Sequence, residues 1–253
     1  MSIGPDAPPI AAAPSRYADQ WPAPERRGGG GTRAERYARL VFLGVVLYAV
    51  IDTALLFLRP QFSLLHNAES DYGSHGSWAW LMDLNFLLRC FLSLAAVRAL
   101  TLARCASERR ARLRIGLALL IVWAIGSGLL AFFPDDPVGT PTHGSGAIHL
   151  ALAFVAFIGV LFGARFVSSA LRADPRWKPV AASLAAMSWG AVIPLLLLGH
   201  THFRVNSLGG LYEKIFLAVE LLWLLVAVAP LVVGDRRPGA RRRSGAQASS
   251  GQL

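Results

Sequence analysis

The stretch Phe132-Phe133-Pro134-Asp135-Asp136-Pro137-Val138-Gly139-Thr140-Pro141-Thr142-His143-Gly144-Ser145-Gly146-Ala147-Ile148-His149 joins two long apolar runs. Pro134 cannot continue a helix, and ionised Asp135 and Asp136 favour water, so the first run ends here at a membrane surface. Gly144 and Gly146 loosen the backbone until the next run begins near Ala147, which puts His149 on the first turn of the following helix. Two carboxylates and two imidazoles are thereby gathered at one surface.

Working outward, six apolar segments emerge, at 40–58, 79–103, 112–133, 147–171, 179–199 and 212–234. Each approaches or exceeds the ~20 residues a helix needs to cross about 30 Å of hydrocarbon. The composition agrees: 54% of residues are apolar and 16% charged, with a mean hydropathy of +0.46, which places the chain in the membrane class. The fold class expected is all-α, an integral membrane bundle of six transmembrane helices. Three regions are expected: a Pro/Gly-rich disordered tail over 1–34, the transmembrane domain over 35–235, and a basic disordered tail over 236–253. Nothing in 1–31 has the layout of a signal peptide, so insertion is expected to rely on the first span.

A net charge of +10 would suit nucleic acid if the basic residues formed one patch, but they fall in short clusters between apolar runs. That pattern reads as topology, with membrane lipid and not nucleic acid as the partner. Eighteen Lys and Arg flank one set of loops, while only Arg59, Arg204 and Lys214 flank the other. The count predicts both termini on the cytoplasmic side. Only two of the 25 basic residues are Lys, an Ala-, Gly- and Arg-rich usage that suggests a bacterial inner-membrane protein. Trp78 and Trp80 at the outer face and Trp177 at the inner face read as interfacial anchors. Gly159 and Gly163 form a small-xxx-small pair in the fourth span, and Gly126 and Gly128 suggest another close approach in the third. Cys90 and Cys105 lie in and just beyond the second span and read as packing residues.

The polar residues carry the functional question. All six histidines, His66, His75, His143, His149, His200 and His202, fall on the outer side. Asp52, Asp83 and Glu220 lie roughly 7 to 12 Å inside it, where an ionised carboxylate facing lipid costs about 2.5–3.5 kcal/mol. These carboxylates are therefore expected to face the bundle interior and to pair with Arg89, near the middle of the second span, or to hold a proton. Asn85 shares the Arg89 face one turn earlier. Three readings follow: a structural set of buried ion pairs, a metal site, and a proton or solute path. The metal reading takes Asp136, His149, His200 and His202 as ligands, Zn²⁺ as the ion, and the outer mouth between the third, fourth and fifth spans as its place. A bound water would then attack a lipid ester or amide, with Asp83 or Glu220 as the general base. His200 and His202 point about 200° apart on a helix, so they converge only from an extended segment. The proton path rests on Asp52, Asp83 and Glu220; against it, no span reads as broken, and only Pro194 and Pro230 interrupt helices. Ser70 and Ser145 lack nucleophile-elbow spacing, and the chain has no phosphate-cradling Gly loop, Cys-pair metal motif or dinucleotide fingerprint.

Two stretches together resemble a known family. Glu69-Ser70-Asp71-Tyr72-Gly73 with Trp80, Leu81, Met82 and Phe86, and then Phe133-Pro134, Asp136, Gly139, Gly146 and His149, are similar to the bacterial multipass family catalogued as domain of unknown function 998. The likeness covers roughly 40–234 and implies a six-helix integral membrane protein without an assigned activity. A second likeness is to the alkaline-ceramidase and Per1-like membrane hydrolases. Ser70, Asp83 and His149, with His200 or His202, have the residue types those enzymes gather around zinc. The chain departs from them in having six spans and no His-x-x-x-His pair on its last helix.

Overall fold

A computed structural model describes residues 32–105, 109–136, 140–201, 204 and 206–233. The regions expected to be disordered tails lie almost wholly outside these residues, as does His202. The described residues form helices and no strand: α1 (Arg33–Leu58), α2 (Ala79–Leu102), α3 (Arg110–Leu130), α4 (Gly144–Leu171), α5 (Ala181–Gly190), α6 (Val192–Thr201) and α7 (Gly209–Val233). Six spans are long and apolar enough to cross a membrane, the fifth running from Pro175 to Thr201 through α5 and α6.

The first helix starts at Arg33, well before its apolar run. Thr32 caps it by accepting the backbone N–H of Glu35 at 3.2 Å, and Glu35 pairs with Arg39 one turn on. An oxygen cap and an acidic residue in the first turn are what a helix N-terminus needs. The third helix ends at Leu130, and three further turn bonds carry the chain to Phe133 before Pro134. The fourth starts at Gly144, so His149 sits on its second turn and not its first.

Sequential helices pack side by side, α3 and α4 most intimately. A Cβ on Gly163 would stand 3.1 Å from the Gly116 carbonyl oxygen, and one on Gly116 would stand 2.9 Å from the Val167 nitrogen. The glycines expected to allow close approach do so here, backbone against backbone. Gly126 meets Ala156 across the same seam, and Gly128 meets Cys90 of α2.

The fifth span is two helices, not one continuous rod. Pro194 has no N–H to give the carbonyl of Gly190, so the ladder is cut and the helix breaks at Ala191. Pro230 has no such effect, and α7 runs through it. Trp177 also differs from expectation: it is fully buried and its indole N–H donates to the Ala227 carbonyl at 2.8 Å. It locks the start of the fifth span onto α7, whereas Trp78 and Trp80 are exposed as interfacial residues should be.

The seventh helix touches α1, α2, α4, α5 and α6, which makes its polar residues interior ones. At one end of the bundle the segments 59–78, 131–136, 140–143 and 206–208 meet, with Arg204 beside them. His66 Nδ1 lies 2.9 Å from the Ser207 carbonyl, the Ser70 hydroxyl donates to Asp135 at 2.9 Å, and Lys214 Nζ donates to the Asn67 carbonyl at 2.6 Å. The charge count predicts that this end faces outward. With Cys90 and Cys105 changed to Ala, a cysteine at Thr142 is expected to react with an impermeant maleimide in right-side-out vesicles, and one at Ala173 to react only after permeabilisation. The reverse pattern would invert the topology.

Candidate functional site

The loop after α1 is built as a lid on this end. Arg59, almost wholly buried, donates to the carbonyls of Tyr72, of Ser74 at 2.6 Å and of His75 at 2.8 Å, and stacks over Phe62. Asp71 is held by the Asn67 side chain at 3.0 Å and the Ala68 N–H at 2.8 Å. Burial pushes the Asp71 carboxyl above the usual carboxylate range, the Asn67 hydrogen bond pulls it back, and neighbouring Asp135 adds to the upward push. The Tyr72 phenol is likewise pushed up to about 12, first by burial and then by Asp52 and Asp71.

The lid inserts Glu69 into the bundle, where it meets α1 and α2. Tyr48 donates its hydroxyl to Glu69 Oε1, Arg89 Nη1 stands 3.6 Å from Glu69 Oε2, and Arg89 also donates to the Tyr48 oxygen at 3.3 Å. All three side chains are at most 3% exposed. The guanidinium further lies 5.2 Å from the centre of the Phe86 ring. Arg89 thus has an internal counter-ion, but it is Glu69 from the loop, not Asp52, Asp83 or Glu220. The physical reason is reach: the folded lid delivers a carboxylate into the bundle, and a spanning carboxylate has to share Arg89's depth and face to do the same.

Above this bridge is a chamber of about 510 Å³. Its walls carry Arg89, Glu213, Asp71, Asp135, Asp136 and His149. His149 is 3% exposed and its Nδ1 lies 2.7 Å from the Phe133 carbonyl. A carbonyl only accepts, so Nδ1 carries a proton and donates it to this contact. The ring packs edge-on against Phe86, with centroids 5.9 Å apart. Asp136 accepts the His143 backbone N–H at 2.8 Å, and Gly146 lies so close to its carboxylate that a Cβ there would overlap it. Glu213 is 7% exposed and has no hydrogen-bond partner among the described residues.

The residues expected at the site are divided by this geometry. Asp136 and His149 share the chamber. His200 is exposed on α6 and does not line it, and His202 lies outside the described residues. The mouth is therefore bounded by α2, the end of α3 at Leu130, α4, α7 and the three loops, and no described residue of the fifth span lines it. Among the described residues no three His, Cys, Asp or Glu side chains form a metal-ligand group. Asp83 is half-buried on the first turns of α2, within electrostatic reach of His149. Asp52 lines a separate groove of about 260 Å³ between α1 and α7, with Tyr48, Glu69 and Lys214. Glu220 is fully buried, and neither of its carboxylate oxygens has a hydrogen-bond partner among the described residues. No role at the site was expected for Tyr48, Glu69 or Glu213. The signal for Glu69 was present, since it opens the Glu-Ser-Asp-Tyr-Gly segment.

A family model described as Protein of unknown function (DUF998) matches residues 42–243. No curated protein and no solved structure matches the chain.

Proposed function

Starting from a chain that belongs to the DUF998 family, whose description assigns no activity, we propose that this multipass membrane protein binds a small polar molecule or a lipid head group in the chamber between α2, α4 and α7. The observation that carries this reading is the chamber itself. A volume of about 510 Å³ falls within the roughly 300–1,000 Å³ of ligand sites. A bundle that only needed internal ion pairs would close over Glu213 and not leave it lining a cavity.

A second reading, proton-coupled transport, is favoured by one feature. Glu220 lies seven residues after Glu213, on the same face of α7 and about 10 Å deeper. Two unpartnered buried carboxylates in line are what a proton relay requires. The hydrolase reading takes no support from the described side chains, because Asp136 and His149 gain no third ligand among them.

Access to the chamber tests the binding reading. With Cys90 and Cys105 changed to Ala, a cysteine at Ser70, 8% exposed on the chamber wall, is expected to react with methyl methanethiosulfonate within tenfold of the rate at rim residue Thr142. A rate at Ser70 a thousandfold slower would mean a sealed cavity and would remove the reading.

A further inference from the structure

The charges facing the chamber are unequal. Asp71, Asp135, Asp136 and Glu213 contribute four carboxylates, and Arg89 and Arg204 contribute two guanidinium groups. Arg89 is already matched by Glu69 behind the wall, and Arg204 is exposed at the rim. Three of the carboxylates are served by neutral donors. Asp71 has Asn67 and the Ala68 N–H, Asp135 has the Ser70 hydroxyl and the Asp136 N–H, and Asp136 has the His143 N–H.

Glu213 is the exception, and it is independent of that cluster because it comes from α7. It is more than nine-tenths buried, lines the chamber, and has no hydrogen-bond or ion-pair partner among the described residues. Glu69, Lys214, Asp71 and Arg89 stand within electrostatic reach of it, neither cation at ion-pair distance, and Asp135 stands within reach of Asp71. A file of carboxylates thus leads from the mouth to a buried acceptor with nothing to accept from. A buried polar group without a partner is costly, more so when charged, and a bound cation with N–H donors would remove that cost.

We propose that the ligand of this chamber carries a protonated amine, which enters past Asp135 and Asp71 and donates to Glu213. This rests on the binding reading above and adds its ligand class. Anionic ligands are disfavoured, since the buried guanidinium on the wall is neutralised from behind. A quaternary ammonium satisfies the charge but not the acceptor, so N–H-bearing amines bind more tightly. The amine has two sources, a free amine and the head group of an ethanolamine phospholipid.

The test uses the full chain with cysteine at Ser70, Cys90 and Cys105 changed to Ala, in phosphatidylcholine nanodiscs. The rate of modification by neutral methyl methanethiosulfonate is read with n-butylamine, n-butanol or butyrate present at neutral pH. Butylammonium is expected to slow modification at least fivefold, and butanol and butyrate by less than twofold. Glu213→Gln should abolish the protection while leaving the unprotected rate within twofold, which also reports an intact chamber. Asp135→Asn, at the mouth, should weaken protection by a smaller factor. Phosphatidylethanolamine in the nanodisc slowing modification with no amine added would identify the lipid as the source, and protection by butylammonium alone would identify a free amine. Equal protection by butanol, no protection by butylammonium, or protection that survives in Glu213→Gln would overturn the amine assignment. All three leave the chamber open, whereas failure of the reagent to reach Ser70→Cys would remove the binding reading itself.

Discussion

Changing Arg89 to Leu will lower the thermal midpoint of the purified protein by on the order of 10 °C. Truncation leaves the Glu69 carboxylate buried without its counter-ion, a loss of about 3–5 kcal/mol, and each kcal/mol moves a chain of this size by roughly 2–4 °C. The pair spans the lid and α2, and Tyr48 ties both to α1, so the loss propagates to three elements. Adding Glu69→Gln to Arg89→Leu will recover more than half of the midpoint, because an amide needs no counter-ion. Adding Glu220→Gln will recover none. Circular-dichroism melts of the four proteins in one detergent decide the matter, and rescue by Glu220→Gln in place of Glu69→Gln would show that the wrong carboxylate has been matched to Arg89.

Gly210→Ala will be the most damaging single methyl in the bundle. A Cβ there overlaps the carbonyl of Asn67 and lies 2.8 Å from the Asn67 nitrogen. Both are backbone atoms and neither is free to move. The Asn67 N–H donates to Ser63 at 3.0 Å, its carbonyl accepts from Lys214 at 2.6 Å, and the neighbouring Leu211 N–H donates to Leu65 at 3.0 Å. Helix and lid must part, at about 1–3 kcal/mol for overpacking before any lost hydrogen bond is counted. The reaction rate of a cysteine at Ser70 will change by tenfold or more as the lid lifts. Gly190→Ala is the control, since nothing lies within 4 Å of its Cβ position. It should be neutral or slightly stabilising, as Ala exceeds Gly in a helix by about 0.5–1 kcal/mol. Equal melting of the two variants would mean that the lid does not rest on α7.

The six spans were legible because they depend on a coarse quantity, run length, which survives errors of several residues. The true start of α1 was also written in the chain, as Thr32-Arg33-Ala34-Glu35, an oxygen cap followed three residues later by an acidic one. It was passed over because hydrophobicity, not capping, set the boundary. The partner of Arg89 was less legible. Carboxylates inside the spans seemed the natural candidates, but helix depth is only one way to reach the interior, and Glu69 arrives from a loop that folds inward. Glu213 was hidden for a similar reason: its place near the end of a span suggests water, and only the lid and the central position of α7 bury it. The one-sided histidines were a weaker clue than they looked. His66, His75, His143 and His200 are exposed, and of the described histidines only His149 is buried.

The break in the fifth span gives that part of the molecule a different mechanical character. A continuous helix resists bending because each turn is tied to the next, whereas the bond that Pro194 withholds from Gly190 is absent at every angle between α5 and α6. Changing that angle therefore costs little beyond side-chain contacts. The buried Trp177 anchors the near half to α7, and the far half packs against α7 along α6. When the surrounding bilayer thins or thickens, a jointed span adjusts its vertical reach by folding or straightening, while stiff spans must tilt as units. The fifth span stands outside the chamber wall, but its far end leads into Arg204, Asn206 and Ser207, which line the chamber, so bending at this joint reaches the cavity through that segment alone.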